Sequence, residues 1–373
     1  LDEGEFLISG DDDASTTIPS IQVPNSFQTR LARTYRVRET GDVGTISLEF
    51  DMAGLGADLS QPGRYFLLID DDGDFSDAQI GNANLASLSG TVLSFSDIDF
   101  TNGDYYTIGY RESLQLSPKV MLAGPYNIVA GLMNDGLRSN NLIPEVEPYE
   151  AMSTFTHVGF GGGETVDPSV FIPSGNDAIV DWVFVELRDD DDSTLVLATR
   201  SALLQRDGDI VGLDGNSPVS FPGMSGDDYF VAIRHRNHLP VMTANAVSLS
   251  GISATIDFTD PNTLTYGENA QKQLSATVMG MWAGDINQDN TVVFQGFGND
   301  PQKIFLTVLI APGNSGFARN YIVNGYDLTD VNLDGQTIFQ GGGTDVSVIF
   351  INILTYPDNT GFNRNYVVSG RLP

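Results

Sequence analysis

Oxygen-bearing side chains recur at alternate positions in two short stretches of the chain. The first reads DINQDNTVVFQGFGND from Asp285 to Asp300, and the second reads DVNLDGQTIFQGGGTD from Asp330 to Asp345. Each begins with Asp, Asn and Asp at its first, third and fifth positions. Oxygens at this spacing can wrap one hard cation, and Ca²⁺ takes about six to eight oxygen ligands. These stretches, called the first loop and the second loop below, are therefore candidate calcium sites.

The two loops follow the ligand order of an EF-hand only in part. The seventh position, where the EF-hand uses a backbone carbonyl, falls on Thr291 and Gln336. The twelfth, usually a closing acid, holds Gly296 and Gly341, and an Asp arrives four residues later in each loop. We therefore expect a Gly-rich insertion before the closing acid. The expected metal ligands are Asp285, Asn287, Asp289, Thr291 and Asp300 in the first loop, and Asp330, Asn332, Asp334, Gln336 and Asp345 in the second.

An apolar run of helical length follows each loop, PQKIFLTVLI after Asp300 and VSVIFINIL after Asp345. Pro301 suits the first helical position after a capping Asp300. The alternative reading is therefore a pair of Asx turns that cap helices without binding metal. The recurrence of the pattern at one spacing favours the metal.

The repetition extends beyond the loops. Their first residues are 45 positions apart, and GFARNYIVNG from Gly316 to Gly325 returns as GFNRNYVVSG from Gly361 to Gly370. Self-similarity at a fixed period predicts two copies of one structural unit packed together. We call residues 281–373 the C-terminal module.

The duplicated D-x-N-x-D loop followed by a helix resembles a dockerin-type calcium repeat, although it departs from that family at the twelfth position. The FQGxGND motif, the RNYxVxG segment and the ending Leu372-Pro373 are similar to the C-terminal region of large secreted surface proteins of Bacteroidota, of the type exported by type IX secretion. The resemblance implies an extracellular or cell-surface location.

A third acidic stretch, IDDDGDFSDA, follows the predicted strand RYFLLI. It places Asp70, Asp72, Asp74 and Asp77 around a turn at Gly73. Four carboxylates this close repel one another unless a cation or wide solvation relieves them. A calcium site and a solvated acidic hairpin both fit the pattern.

The densest set of chemically able side chains is RHRNHL, from Arg234 to Leu239. His235 and His238 follow a predicted strand rather than lying on a helix face, and the adjacent Arg side chains disfavour a cation. We expect cross-strand hydrogen bonds and pairing with acidic hairpins, with a ligand-contacting role as the alternative. The third histidine, His157, has no acidic motif beside it in the sequence. The Gly-rich stretch after it lacks the Lys and the helix of a phosphate cradle and is expected to be a turn.

No catalytic set can be assembled from the sequence. There is no G-x-S-x-G elbow, no Ser is tied to a His and an acid by spacing, and the chain has no Cys. Trp182 alternates with Phe184 on a core-like strand, which predicts packing rather than a sugar-stacking platform. We expect a protein that is not an enzyme.

The net charge of the chain limits the classes of partner that it can bind. The formal net charge is −31, from 38 Asp and 11 Glu against 15 Arg and 3 Lys, so the chain should repel nucleic acid and anionic lipid. No apolar run approaches the roughly 18 residues of a membrane span, so we expect no direct membrane insertion. Because the sequence begins with Leu1 rather than Met, we expect an export signal upstream. Without disulfides, bound Ca²⁺ is the available source of rigidity.

The elements that position these residues read as short strands with polar turns. Ile46, Leu48 and Phe50, for example, alternate with polar residues. We expect a mainly β protein with two antiparallel β-sandwich domains, at residues 1–113 and 114–280, followed by a small dockerin-like α module at 281–373. The order of strands in the second domain resembles sandwiches of the immunoglobulin and transthyretin type.

These observations predict a non-enzymatic extracellular surface protein that Ca²⁺ makes rigid and that serves attachment or assembly, for example as a fibre or surface-layer subunit. Its partners would be other copies of itself or a cell-surface protein. The apolar helices of the module should be buried on all sides, in part against a partner. Contacts between such acidic chains should need divalent cations or the RHRNH segment. The alternative is an adhesin that binds glycans through sandwich loops.

Overall fold

The computed structural model describes residues 5–14, 22–24, 27, 29–55, 59, 64–78, 87–111, 113–159, 161–224, 226–249 and 254–373. The protein is mainly β, and most of its strand pairs are antiparallel, which confirms the predicted class. The chain divides into two compact units, Leu1–Leu114 with Phe221–Ser225, and Gln115–Ser220 with Gly226–Pro373.

The strands up to residue 119 are β1 (Phe6–Asp11), β2 (Thr29–Arg30), β3 (Tyr35–Thr40), β4 (Ile46–Asp51), β5 (Tyr65–Asp70), β6 (Ser87–Ser89), β7 (Val92–Ile98), β8 (Tyr105–Tyr110) and β9 (Ser113–Lys119). The later strands are β10 (Tyr126–Asn127), β11 (Leu132–Met133), β12 (Ile179–Asp189), β13 (Val196–Gln205), β14 (Ile210–Val211), β15 (Val219–Pro222), β16 (Asp227–His235), β17 (His238–Met242), β18 (Val247–Leu249), β19 (Ala254–Asp257), β20 (Gln271–Ser275), β21 (Val278–Met281), β22 (Thr291–Val293), β23 (Ile322–Asn324), β24 (Gln336–Ile338) and β25 (Val367–Ser369). The α-helices are α1 (Gly136–Ser139), α2 (Pro301–Leu309) and α3 (Asp345–Thr355), and short 3-10 helices lie at Phe75–Asp77 and Pro168–Phe171.

The first unit contains two sheets. One has the order β1-β3-β8-β2 with β5 also paired to β8, and the other has the order β4-β7-β6. Ile46, Leu48 and Phe50 of β4 pack against the core while the residues between them are exposed, as their alternation predicts. One core cluster contains Ile108 of the first sheet and Phe95 of the second, so both sheets contribute to the same apolar interior.

The second unit is built on a sheet of order β14-β13-β12-β16-β17, with β18 also paired to β16. Its central strand β12 is buried along almost its whole length, including the charged side chains of Asp181, Glu186 and Arg188. One pair departs from the antiparallel expectation, because β19 runs parallel to β9, with Ala254 opposite Leu116. Strand alternation in the sequence carries no information about strand direction.

Each copy of the C-terminal repeat folds as a loop, a short strand, a helix and a second short strand. Strand β22, inside the first loop, pairs with β25 of the second copy, and β24, inside the second loop, pairs with β23 of the first copy. Each of these two strand pairs therefore joins one copy of the repeat to the other. The conserved spacing of 45 residues gives both pairs the same register.

Helices α2 and α3 each bury one face. The core of the module contains Ile304 of α2 and Ile349 of α3, and Leu239 and Trp282 pack in the same cluster. Ile310, directly after α2, keeps 70% of its surface exposed, so the chain itself does not cover all of this apolar run, whose burial was expected to need a partner in part. A helix packed on one side of a small core has no cover for its outer face. In the part of the chain that the structure describes, no helix has the length and apolar character to cross a membrane.

Candidate metal centre

The two loops share one hydrogen-bonding pattern around their first residues. The carboxylate of Asp285 accepts from the backbone N–H groups of Asp289 and Asn290 at 3.1 and 3.2 Å. The carboxylate of Asp330 accepts the two equivalent bonds at 3.1 and 2.8 Å. Each loop therefore curls around the carboxylate of its own first residue.

The closing acids are turned into the loops as well. Asp300 accepts from the backbone N–H groups of Ile286 and Val293 at 3.2 and 2.8 Å, and Asp345 accepts the two equivalent bonds at 2.7 and 2.8 Å. Both side chains are completely buried. Asp300 and Asp345 thus tie the start of each loop to the short strand within it. Each acid lies 14 positions after the residue near the loop start whose N–H it accepts.

The structure distinguishes the closing acids from helix caps. Asp300 lies directly before α2 but makes no side-chain cap bond, and Asp345 lies inside α3, whose cap is the hydroxyl of Thr344. Asx turns are present elsewhere in the loops, where Asn287 and Asp289 accept from the N–H groups two residues further on. The expected capping role of Asp300 is therefore wrong, because its carboxylate points into the loop.

The backbone of both loops turns sharply at the sixth position. Asn290 and Gly335 occupy it with φ of 63° and 85°, in the left-handed region. An EF-hand calcium loop also places Gly at its sixth position to make a sharp turn. Thr291 and Gln336, the expected carbonyl ligands, follow directly and begin β22 and β24.

Burial makes the loop carboxylates costly to ionise. The pKa of Asp285 is raised to about 7, first by burial and then by the charge of Asp289, while backbone hydrogen bonds oppose the change. Burial raises the pKa of Asp300 to about 8. The hydrogen bond from Val293 opposes this change, and the charges of Asp285 and Asp289 add to it. The three carboxylates of the first loop are therefore close enough to repel one another.

The second loop behaves in the same way. Burial raises the pKa of Asp330 to about 8, with the Arg236 charge opposing and the Asp345 charge adding to the change. Burial also raises the pKa of Asp345 to about 7, where backbone bonds oppose it and Asp334 adds to it. A dication among these groups would offset the repulsion.

The donor chemistry of the loops fits a hard cation. The expected side-chain ligands are carboxylate and amide oxygens, and each carboxylate retains lone pairs beyond the backbone bonds it accepts. Asn287 and Asn332 also donate to the carboxylates of Asp289 and Asp334 at 3.0 Å. These bonds hold the third and fifth side chains of each loop together. Such a set suits Ca²⁺ rather than a metal that prefers nitrogen or sulfur.

The acidic turn after β5 brings together a set of acids different from the expected one. One oxygen each from Asp70, Asp71 and Asp72 lies within 4.8 Å of the others, so Asp71 joins the candidates. Asp74 instead accepts from the backbone N–H of Ser76 and caps the 3-10 helix that ends at Asp77. Asp70 is buried, and burial raises its pKa even though bonds from the turn oppose the change. Sequence spacing could not separate capping acids from clustered ones.

The RHRNH segment covers the end of β16, the turn and the start of β17, and its side chains hydrogen-bond to buried residues. Asp181 of β12 accepts from Arg236 Nε at 2.9 Å, lies 3.1 Å from His235 Nε2 and accepts from the Tyr326 hydroxyl at 2.7 Å. Burial alone would raise the pKa of Asp181, but Arg236 and the hydrogen bonds lower it to about 2. The expected structural role fits this geometry, but the acidic partner is a buried residue of β12 rather than an exposed hairpin.

The same turn contacts both loops. Asn237 Nδ2 donates to the carbonyl oxygens of Leu328 and Asp330 at 3.0 and 2.8 Å, and Gln288 Nε2 donates to the Arg236 carbonyl at 3.1 Å. His235, Arg236 and His238 are buried, whereas Arg234 keeps 23% of its side chain exposed and pairs with Glu186 at 3.0 Å, so most of the segment's basic groups face inward. These contacts could not be predicted from sequence, since they join residues about 50 to 90 positions apart.

Both tryptophans of the chain are buried. Trp182 has no exposed surface, and Trp282 retains 2%. Each indole N–H donates to a backbone carbonyl, of Pro144 and Asn269 respectively. The predicted packing role of Trp182 agrees with this burial, and neither ring offers a face on which a sugar could stack.

Comparison with known proteins adds one finding. A family model described as a domain of unknown function (DUF8202) matches residues 1–104. No curated protein matches the chain. No solved structure matches it either. The matched residues include the acidic turn after β5 and neither of the two C-terminal loops.

Proposed function

We propose that the chain is a non-enzymatic extracellular or cell-surface protein whose C-terminal module is held together by two Ca²⁺ ions and serves attachment or assembly. The observation that carries the proposal is the matched pair of loops, each with two buried carboxylates that accept the same backbone hydrogen bonds. The resemblance to dockerin-type repeats and to secreted Bacteroidota surface proteins supports it.

The metal in this proposal is structural. In the first loop Asp285, Asn287, Asp289 and Asp300 would supply side-chain oxygens, and the equivalent residues would do so in the second. The ion would contribute positive charge among carboxylates whose pKa burial raises to about 7 and 8. Ca²⁺ that binds only the folded chain stabilises it by about 2.7 kcal/mol at a hundredfold excess over Kd. A chain without Cys obtains rigidity in this way.

The domain plan of two β-sandwiches before a dockerin-like module is part of the proposal. In the first unit the core joins Val37 and Tyr106 of one sheet with Leu93 and Phe95 of the other, and a sandwich requires such shared packing. The proposed boundaries are residues 1–113, 114–280 and 281–373.

A repeated apolar surface supports the attachment role. Leu306 and Ile351 occupy equivalent positions of the two helices and are 45% and 52% exposed. Phe317 and Phe362 are likewise equivalent and are 66% and 70% exposed. Their φ angles of 50° and 51° are ones that bulky side chains rarely adopt. A partner, either a second copy or a cell-surface protein, would cover these side chains.

Hydrogen exchange with and without EDTA tests the calcium claim. We expect chelation to accelerate exchange in residues 281–373 more than in the rest of the chain. Asp289→Ala and Asp334→Ala should reproduce the effect, each mainly in its own loop, whereas the exposed Asp190→Ala serves as the control and should not. Equal exchange in EDTA and in calcium would mean that calcium has no structural role here.

Light scattering tests the assembly part of the proposal. We expect the mean mass of the concentrated protein to rise with calcium and to fall again with EDTA. Phe317→Ser combined with Phe362→Ser should abolish the rise without changing the calcium affinity. A monomer in both conditions would exclude self-assembly, and a search for a bound surface protein would then decide the attachment role.

A further inference from the structure

A cluster of side chains of the kinds that ligate metals lies outside both loops, in the second unit. Glu147, His157 and Glu164 each present one ligand atom, and these three atoms all lie within 4.8 Å of one another. His157 Nε2 is 3.5 Å from a carboxylate oxygen of Glu147. The cluster combines one imidazole nitrogen with two carboxylates, which distinguishes it from the all-oxygen loops.

The imidazole of His157 has a buried nitrogen without a partner. Its side chain is only 10% exposed, and Nε2 has no hydrogen-bond partner among the residues that the structure describes. The ring packs against Phe184, with the ring centroids 4.9 Å apart. Buried polar atoms are ordinarily satisfied, so an unpartnered nitrogen that faces two acids needs a physical cause.

The hydrogen bonds on the other side of the ring indicate which nitrogen carries the proton. The Thr199 hydroxyl donates its one hydrogen to the carbonyl oxygen of Val158 at 3.2 Å. His157 Nδ1 lies 3.2 Å from the same hydroxyl oxygen and is the donor between them when that hydrogen points to Val158. In that neutral tautomer Nε2 carries a lone pair 3.5 Å from a carboxylate oxygen of Glu147. Two electron-rich atoms at this separation repel unless a cation lies between them.

The two glutamates are held beside the ring by the backbone. The N–H of Glu147 donates to the carbonyl oxygen of Glu164 at 3.0 Å, so the two residues lie side by side on adjacent segments. The Glu147 carboxylate has no exposed surface and accepts from the Ser201 hydroxyl at 3.2 Å, and the Glu164 carboxylate accepts from the Ser201 N–H at 3.3 Å. Such bonds orient carboxylates before any ligand arrives.

Glycines let the chain pass close to the ring. A Cβ on Gly161 would lie 3.0 Å from His157 Nδ1 and only 2.3 Å from the carbonyl oxygen of Thr199, and a Cβ on Gly162 would lie 3.2 Å from the imidazole. A residue with a side chain at position 161 would push the loop away from the cluster. The Gly-rich stretch therefore acts as a close cover for His157.

We propose that Glu147, His157 and Glu164 bind one divalent transition metal ion, with Zn²⁺ as the best-suited ion. Two ligands of a tetrahedral Zn²⁺, each at roughly 2.0–2.1 Å, lie about 3.4 Å apart, close to the separation of His157 Nε2 and Glu147. The dication neutralises the two carboxylates and takes the Nε2 lone pair. Ca²⁺ does not compete well here because it prefers oxygen ligands.

The three histidines of the chain allow a direct test. The full-length protein is labelled with ¹⁵N-histidine, stripped with a chelator, returned to saturating calcium and titrated with Zn²⁺. We expect the Nε2 resonance of His157 to shift with one equivalent of Zn²⁺, while His235 and His238, which are buried and hydrogen-bonded elsewhere, stay in place. Resonances of all three rings that do not respond to Zn²⁺ would overturn the proposal and would leave a protonated His157 paired with Glu147.

Variants separate ligation from a general effect of charge. Glu164→Gln and Glu147→Gln should each weaken Zn²⁺ binding at least tenfold, since even the outer partners of metal ligands change affinity about 10- to 100-fold. Glu145→Gln, an exposed neighbour on the same segment, is the matched control and should bind as the parent does. Glu147 is buried, so a loss of folding in its variant would not report on metal binding, and the half-buried Glu164 decides the outcome. Unchanged affinity in a folded Glu164→Gln protein would contradict the site.

Discussion

The side-chain amide of Asn237 donates to the main-chain carbonyl oxygen of Asp330 at 2.8 Å, and both residues are completely buried. The turn between β16 and β17 thereby holds the first residue of the second loop, while its contact with the first loop is made by Gln288. This hydrogen bond connects the β16–β17 turn of the six-stranded sheet to the first residue of one candidate calcium site.

Replacement of Asn237 should therefore affect the second loop selectively. Asn237→Ala leaves the buried carbonyl of Asp330 and the partly buried carbonyl of Leu328 without this donor, and a buried unsatisfied group costs about 1–3 kcal/mol. We expect a lower free energy of unfolding and weaker calcium binding at the second loop only, measured by urea denaturation and by calorimetric titration. The exposed Asn245→Ala is the control. Equal loss of affinity at both loops would contradict a selective coupling.

The stability of the fold should depend on Asp181 and Arg236 being present together as a buried ion pair. Asp181→Asn leaves the Arg236 guanidinium buried without its counter-charge, and loss of one partner of such a pair typically costs about 3–5 kcal/mol. The double variant Asp181→Leu with Arg236→Met should recover much of that loss, because neither charge of this pair is then buried without its partner. Urea denaturation of the three proteins measures this, and a double variant less stable than Asp181→Asn would be inconsistent with the pair.

The buried histidines predict a loss of stability in mild acid. Burial lowers the pKa of His238, with the charges of His235 and Arg236 adding to the effect, and burial also lowers the pKa of His235 although Asp181 opposes it. In saturating calcium, where the loop carboxylates stay ionised, the unfolded chain binds protons near pH 6.5 that the folded chain does not, so stability falls as the pH drops below about 6.5. His238→Gln should reduce this slope between roughly pH 6.5 and 5 in thermal unfolding. An identical slope in parent and variant would show that His238 is charged in the folded state.

Calcium binding near neutral pH should release protons. The pKa values of Asp285 and Asp345 are raised to about 7 and those of Asp300 and Asp330 to about 8, so these groups are partly or mostly protonated at pH 7 without metal. In the metal-free chain a raised carboxyl pKa makes stability fall as the pH rises from about 4 to 8, and calcium should abolish that fall. Calorimetry in buffers of different ionisation enthalpy should detect the protons. Binding that releases none would exclude these four carboxylates as the ligands.

The C-terminal loops could be predicted from sequence because their chemistry is local and repeated. Asp285 and Asp330 begin identical patterns, and the closing acids fall at one fixed distance, so the repeat itself indicated which residues belong together. The direction in which Asp300 points could not be predicted, because an acid before a helix usually caps it. The bonds from Ile286 and Val293 decide its orientation, and they depend on the folded loop.

The cluster around His157 had no signal of that kind. Glu147 and Glu164 lie on either side of His157 in the sequence, at unequal distances and without a recognisable motif. Only the backbone pairing of the two glutamates brings all three groups together. The Gly-rich stretch was the one visible feature, and its close approach to the ring explains its composition better than flexibility does.

Anomalous scattering from crystals of the full-length chain grown in millimolar calcium tests the central claim most directly. The calcium account predicts one anomalous peak in each loop, with ligand oxygens at roughly 2.3–2.6 Å. In the first loop these would come from Asp285, Asn287, Asp289 and Asp300, and in the second from the equivalent side chains. Loops filled only with water at that calcium concentration would contradict the account.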